Sequence, residues 1–225
     1  MQLCEEVKTE YIPIISCYNI DKKTEMAETI YEWMKCSPDH LFVQRLCLDK
    51  DPVKAAEMMC DKHVVKMIIE SCQILSAVID KNYIDVYRGK TDVKPSFQLG
   101  CPGYPPAHVK HPSTLWAMES RGNTKWLIKH LRALSMEYTK RYMKTHKLAG
   151  CTMIYEAQLQ YLEFSKEKLG EFVQAITNKK WHNKDPIEAY RTYYNMEKFT
   201  FAKWKLGNIP YWFTGAPEYK ISLDK

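Results

Sequence analysis

The sequence predicts a mainly α protein, a single helical domain with a short N-terminal α/β-like extension. Only 8 glycines occur among 225 residues. The long segments are rich in Glu, Lys, Met, Leu and Ala, which favour helices, and their apolar residues recur at helical spacing. Strand signals are confined to two short candidates, Tyr11–Tyr18 and Leu41–Leu48.

The strongest predicted helix runs from Asp51 to Asp80, because Asp51 is a suitable N-cap and Pro52 occupies the first helical position. A loop rich in proline and glycine follows, from Gly89 to Pro106. The other predicted helices are Thr24–Lys35, a region from Pro112 to about His146 that is interrupted at Arg121–Asn123, Tyr155–Ile176 and Pro186–Lys205.

Composition excludes several classes of protein. Hydrophobic residues make up 45% and charged residues 27% of the chain, so global disorder is excluded. No apolar run approaches the roughly 18 residues of a membrane-spanning helix, and no signal peptide opens the chain. The eight cysteines are spread evenly without a CxxC pair, which favours reduced thiols over a zinc site. We therefore expect a soluble, cytoplasmic protein that contacts no membrane.

Charge divides the chain into two parts. Residues 1–40 carry 4 lysines against 8 acidic residues, a net charge of −4, and residues 41–225 carry 29 basic against 19 acidic residues, a net charge of +10. This division predicts an acidic extension over 1–40 and a basic main domain over 41–225. A basic body favours a polyanionic partner such as nucleic acid, although ordinary solubility charge is the alternative.

The first candidate site lies on the Asp51–Asp80 helix. His63 and Glu70 are seven residues apart, so they share one helix face, with Lys66 between them. A histidine, an amine and a carboxylate on one face suit base-excision or phosphoester chemistry. The alternative interpretation is a surface Lys66–Glu70 ion pair beside a buried histidine.

Two further groups of residues are candidates. His111 precedes Pro112 at a predicted helix start, where a histidine is either a cap or part of a phosphate site. His130 and Glu137 repeat the seven-residue spacing, but leucines surround them and indicate the edge of a core.

Near the C-terminus, aromatic residues interleave with Arg and Lys. This pattern is suited to stacking bases and neutralising phosphates or, alternatively, to a row of buried core residues. Its candidate DNA contacts are Arg191, Tyr194, Lys198 and Lys203.

The stretch Cys60-Asp-Lys-His63-Val-Val-Lys66-Met-Ile-Ile-Glu70 looks like part of a viral or phage protein family. More distantly, it resembles the endonuclease V-type pyrimidine-dimer DNA glycosylases, small all-α proteins in which a helix carries a histidine and, seven residues later, the catalytic glutamate. His111-Pro112 with Trp116, the segment Glu137–Tyr142 and Tyr193-Tyr194 with Lys198 extend the resemblance to about residue 213.

The resemblance implies a DNA-binding protein, without cofactor or metal, that acts on damaged or modified bases in duplex DNA by flipping the nucleotide out. Glu70 would act on the deoxyribose, with His63 and His111 near the sugar-phosphate. The family attacks the sugar with its N-terminal amine, whereas here about 40 residues precede the matching region. Lys66 is therefore predicted to supply the amine instead.

Two other functions stay open at this stage. The first is a metal-dependent nucleotide phosphohydrolase with His63, Glu70 and His111 as ligands. The second is a non-catalytic viral DNA-binding protein that kept the scaffold. Convergence of the three residues in one basic cleft is the observation that best supports catalysis.

Overall fold

The computed structural model describes residues 47–87, 109–205 and 207–215. Within these ranges the chain is helical and contains no β-strand, only one isolated bridge between Ser120 and Lys166. The prediction of a mainly α, single helical domain is therefore confirmed. The α-helices are α1 (Pro52–Glu57), α2 (Asp61–Tyr87), α3 (Pro112–Glu119), α4 (Arg121–Tyr142), α5 (Cys151–Leu159) and α6 (Pro186–Tyr193).

Several predicted elements lie outside the described residues. These are Tyr11–Tyr18, Thr24–Lys35, nearly all of Leu41–Leu48 and the Gly89–Pro106 loop. The division into an extension over 1–40 and a main domain over 41–225 stays a prediction. None of the helices that the structure describes is both long enough and apolar enough to cross a membrane.

Helix α2 forms the centre of the described fold. It packs most extensively against α4 and also contacts α3 and α5. Every residue from 70 to 79 is buried, so this stretch is enclosed on all sides rather than amphipathic. The enclosed helix holds polar side chains inside the protein, and these are His63, Glu70, Ser71, Gln73 and Ser76.

The predicted single helix from Asp51 to Asp80 is wrong, since α1 and α2 are separated at residues 58–60. Asp51 caps α1 as predicted, with its side chain accepting from Val53 N and Lys54 N. The helix then ends because distant side chains bind its carbonyls. Trp204 donates to Met58 O, and Arg141 donates to Glu57 O and Met59 O.

The break between α3 and α4 lies at Ser120, one residue before the predicted interruption. Ser120 adopts an extended conformation and caps α4 by accepting from Asn123 N at 3.0 Å. At the other end, α4 stops at Tyr142 rather than near His146 because Met143 takes a left-handed conformation, with φ of 52°. On α4 the side chains of Trp126, Leu127, Leu131 and Leu134 are buried, as are His130 and Glu137, while Tyr138 is partly buried.

The predicted helix over Tyr155–Ile176 is also wrong, because α5 ends at Leu159 and residues 162–176 are irregular. Polar side chains of other helices satisfy this backbone instead. Arg121 donates to Leu159 O and Leu162 O, and Asn123 accepts from Gly170 N. The segment passes so close to α4 that a Cβ on Gly122 would lie 2.3 Å from Leu169 N.

The last predicted helix, Pro186–Lys205, ends early. Helix α6 stops at Tyr193 and continues as one π-helical turn over Tyr194–Lys198. Beyond it, the backbone pairs with the start of α2, because Lys203 O accepts from Asp61 N at 2.8 Å and Lys205 N donates to the Asp61 carboxylate at 2.7 Å. The C-terminal segment therefore rests on the first turn of the central helix.

A buried ion network joins α4 to the break between α1 and α2. The Arg141 side chain has no exposed surface and pairs with Glu137 at 2.9 Å and with Asp61 at 3.2 Å. Its remaining donors bind the carbonyls of Glu57 and Met59. Because all three guanidinium nitrogens have partners within the protein, the role of Arg141 is to stabilise the fold.

Candidate active site

Three of the predicted catalytic residues, His63, Lys66 and Glu70, lie along one side of α2. Lys66 Nζ lies 3.2 Å from Glu70 Oε1. Glu70 is buried, and its Oε2 has no hydrogen-bond partner among the described residues. The ion pair considered as the alternative interpretation is thus present, but its carboxylate lies in the protein interior. Lys66 keeps 24% of its side-chain surface exposed, so the amine lies at the border of the interior.

Burial makes the Glu70 carboxyl group a weaker acid than an exposed one. Loss of hydration raises the pKa of Glu70 to about 7, although the neighbouring Lys66 ammonium acts in the opposite direction. Near neutral pH the side chain is therefore divided between acid and carboxylate. A carboxyl with this pKa both accepts and donates a proton in that range.

His63 is held in its neutral form. Burial, together with the positive charges of Lys66, Lys198 and Lys62, lowers its pKa to about 3. Its ring meets Tyr194 and Phe201 edge-on, with centroid distances of 5.2 and 5.5 Å. A neutral imidazole in this position serves as a fixed hydrogen-bonding group and not as a cation.

Tyr194 fixes the orientation of His63. Cys60 N donates to the Tyr194 hydroxyl at 2.8 Å, and the same hydroxyl lies 2.7 Å from His63 Nδ1. The contact between the hydroxyl and Nδ1 holds the imidazole ring in one orientation. Tyr194 is fully buried, a placement that does not favour its predicted role as a base-stacking residue.

Replacing Tyr194 by phenylalanine should destabilise the protein by about 1–3 kcal/mol, because Cys60 N–H and His63 Nδ1 would lose their buried partner. Urea unfolding measures the loss. Tyr161→Phe is the matched control, since Tyr161 is 40% exposed, and its unfolding midpoint should stay close to that of the unaltered protein. Equal midpoints for the two variants would contradict the assigned role of the Tyr194 hydroxyl.

Positively charged side chains lie around the His63 end of this site. Lys62 Nζ lies 5.2 Å and Lys198 Nζ 5.9 Å from the centre of the Phe201 ring, and Lys198 is also 4.8 Å from the Tyr193 ring. With Lys66 they give three cations whose charges act on the buried His63 ring. This arrangement attracts an anionic ligand to the His63 end of the site.

His111 is the N-cap of α3, where its Nδ1 accepts from Ser113 N at 3.2 Å. The capping alternative is therefore confirmed, while a catalytic role for His111 stays a prediction. Helix α3 packs against α2, and the hydroxyls of Ser113 and Thr114 are buried without a partner among the described residues. Both residues follow His111 and Pro112 in the predicted candidate motif, but their burial has no signal in the sequence, because serine and threonine at a helix start are common.

The remaining predicted DNA contacts lie in two places. Arg191 binds within the protein, donating to Leu48 O at 3.1 Å and pairing with Glu188 at 2.9 Å and Asp49 at 3.4 Å. Lys203 is exposed, beside the start of α2. Lys203 and Lys198 thus lie toward the His63 end of α2, whereas Arg191 anchors the segment before α1. The roles of these three residues in DNA binding stay predictions.

A helical fold that holds a lysine amine against a buried carboxyl group defines a class of site suited to covalent and acid–base chemistry. Comparison with known families is more specific. Residues 44–149 match the family model described as pyrimidine dimer DNA glycosylase. This match confirms the resemblance to pyrimidine-dimer DNA glycosylases and supports a glycosylase-like function in DNA repair, whereas a viral or phage origin stays a prediction.

The matched segment contains His63, Lys66, Glu70 and His111 but ends before the C-terminal aromatic residues. No curated protein and no solved structure matches the chain significantly. In the part of the chain that the structure describes, no group of three or more His, Cys, Asp or Glu side chains is placed to hold a metal ion. His63, Glu70 and His111 therefore do not form a ligand set of that kind.

Proposed function

We propose that this protein is a base-excision DNA glycosylase with lyase activity that acts on a damaged or modified base in duplex DNA. The observation that carries the proposal is the Lys66–Glu70 pair, an accessible amine 3.2 Å from a buried carboxyl group whose pKa is raised to about 7. The match over residues 44–149 supports the same conclusion independently.

Lys66 supplies the nucleophile. An amine attacks only when it carries no proton, and the Glu70 carboxylate is in position to take a proton from Lys66. Raising the pKa of Glu70 from 4.5 to about 7 makes that transfer easier by about 3 kcal/mol. The neutral amine then bonds to C1′ of the deoxyribose while the bond from C1′ to the base breaks, and the base departs with the electron pair.

Glu70 then returns its proton to the sugar. Protonation of the ring oxygen opens the deoxyribose as the lone pair of the Lys66 nitrogen forms an imine with C1′. The regenerated carboxylate stabilises the positive iminium, and the same group can remove a proton from C2′ so that the 3′ phosphate leaves. His63, neutral and fixed by Tyr194, is an uncharged hydrogen-bonding group on the same side of α2.

The target nucleotide must leave the helical stack to reach this site, since the Glu70 carboxyl group is buried. The ammonium groups of Lys62 and Lys198 lie beside the site, where they can bind the flanking phosphates. Single-stranded or already distorted DNA costs less to open, so a damaged base pair is the favoured substrate.

Borohydride trapping tests the proposal. Incubation with duplex DNA that contains a pyrimidine dimer or an abasic site, followed by reduction, should convert the imine into a stable amine that links protein to DNA. The adduct appears as a slower band after denaturing electrophoresis. If neither substrate gives an adduct and no base is released, the catalytic proposal falls and a DNA-binding role without catalysis replaces it.

Replacing Glu70 by glutamine should lower the rate of adduct formation by about 10²-fold or more, because glutamine neither accepts nor donates the proton. Single-turnover kinetics at saturating DNA measures the change.

The Glu70→Gln variant should still fold. Because the folded pKa of Glu70 lies above its unfolded value, its contribution to stability is lost as pH rises through about 7. The variant should therefore be at least as stable as the parent protein at pH 8, and a large loss there would contradict the assigned environment.

A further inference from the structure

The exposed side of α4 carries a row of cations that the proposed chemistry does not use. Most of this helix is buried against its neighbours. From residue 125 to residue 140 its exposed side chains are Lys125, Lys129, Arg132, Met136, Thr139 and Lys140. We call Lys125, Lys129, Arg132 and Lys140 the α4 ridge. At 100° per residue, these four lie within an arc of about 80° and span about 22 Å along the axis.

The ridge is positive, and two of its four cations are paired with carboxylates. Glu137 is the only carboxylate that α4 contains, and it is buried in the Arg141 network, although it also pairs with Lys140 at 3.1 Å. Arg132 pairs with Glu156 of α5. Among the described residues, Lys125 and Lys129 have no carboxylate within ion-pair distance, so their ammonium groups are available to a ligand.

We propose that the α4 ridge is a second DNA-binding surface, which holds the phosphate backbone of duplex DNA independently of any lesion. Charge complementarity supports this partner, since a straight row of cations faces a polymer with one phosphate every 3.4 Å along each strand. The ridge has no aromatic member. Proteins that bind single strands combine cations with aromatic rings that stack on bases, so the ridge favours a duplex.

The ridge is separate from the Lys66–Glu70 site. Helix α2 packs against the buried side of α4, and the ridge lies on the exposed side. Contacts that carry no sequence information let a protein move along DNA and search it, with an affinity that falls steeply as salt rises. The ridge therefore holds the protein on DNA regardless of its sequence, and the site on α2 serves the reaction.

Charge reversal on the full-length protein tests this assignment. Lys125→Glu combined with Lys129→Glu should weaken binding to undamaged duplex DNA at least tenfold at 0.1 M salt, measured by fluorescence anisotropy. The slope of log affinity against log salt should become less steep by about 1.8, which corresponds to about 0.9 for each lost phosphate contact. The control is Lys54→Glu with Lys81→Glu, two exposed lysines on α1 and α2 that give the same change in net charge.

Equal weakening by the ridge and control variants would overturn the proposal, because net charge alone would then explain binding. Equal loss of affinity for duplex and single-stranded DNA would overturn the assignment to a duplex. Unfolding midpoints verify that both variants fold. Since undamaged DNA undergoes no reaction, a ridge effect without any borohydride adduct from the unaltered protein would remove the proposed chemistry and leave the ridge standing.

Discussion

Replacing Lys66 by alanine should abolish the borohydride-trapped adduct while DNA binding persists. In the proposed mechanism the imine forms only through this nitrogen, so the expected loss is complete rather than partial. The substitution also removes the ion pair at 3.2 Å from Glu70, which will then stay protonated to a higher pH. Denaturing electrophoresis after reduction detects the adduct, and anisotropy on the same DNA measures binding.

Two companion variants separate chemistry from structure. Lys66→Arg keeps a positive charge beside Glu70, but a guanidinium does not form an imine, so this variant should also give no adduct. Lys62→Ala removes a lysine one turn away on the same helix, and its adduct should persist. Peptide mapping of the adduct from the unaltered protein should place the sugar on Lys66. A sugar mapped to another residue would show that Lys66 is not the nucleophile.

Replacing Arg141 by alanine should destabilise the fold by about 3–5 kcal/mol, the largest stability effect that the structure predicts. Removal of this fully buried side chain leaves Glu137 without its main partner and leaves the carbonyls of Glu57 and Met59 without donors. Urea unfolding, with the slope checked for constancy, gives the change in free energy.

Arg132→Ala is the matched control for this prediction. Arg132 belongs to the same helix and also pairs with a glutamate, but its side chain is 53% exposed. Exposed ion pairs contribute about 0–1 kcal/mol, so this variant should unfold close to the midpoint of the unaltered protein. Similar losses from both substitutions would show that Arg141 does not hold the break between α1 and α2 in place.

Local patterns in the sequence predict the helical class and part of the site. The seven-residue spacing of His63 and Glu70, with Lys66 between them, correctly predicts one shared helix side and the Lys66–Glu70 pair. The leucines around His130 and Glu137 also predict that both lie at the edge of a core, and both side chains are buried. These features depend on neighbours within two turns of a helix, so a short window of sequence contains them.

The missed features depend on contacts between residues far apart in the chain. Tyr194 lies 131 positions from His63, and no spacing rule connects them. The break between α1 and α2 depends on Trp204 and Arg141, and the irregular segment after α5 depends on Arg121 and Asn123. In each case a side chain binds a backbone group that would otherwise be hydrogen-bonded within a helix. A long-range contact of this kind leaves no periodic pattern in the sequence.

Because the C-terminal segment docks on α2, the unit that folds extends beyond the stretch that matches the family model. The recognised stretch ends at residue 149, yet residues 194–205 supply partners to five polar atoms at the start of α2. These atoms are Met58 O, Cys60 N, Asp61 N, Asp61 Oδ2 and His63 Nδ1. A fragment cut at residue 149 would expose all five to solvent and free the imidazole to rotate. Boundaries for expression therefore belong beyond residue 205, because the last third of the chain completes the first turn of the central helix.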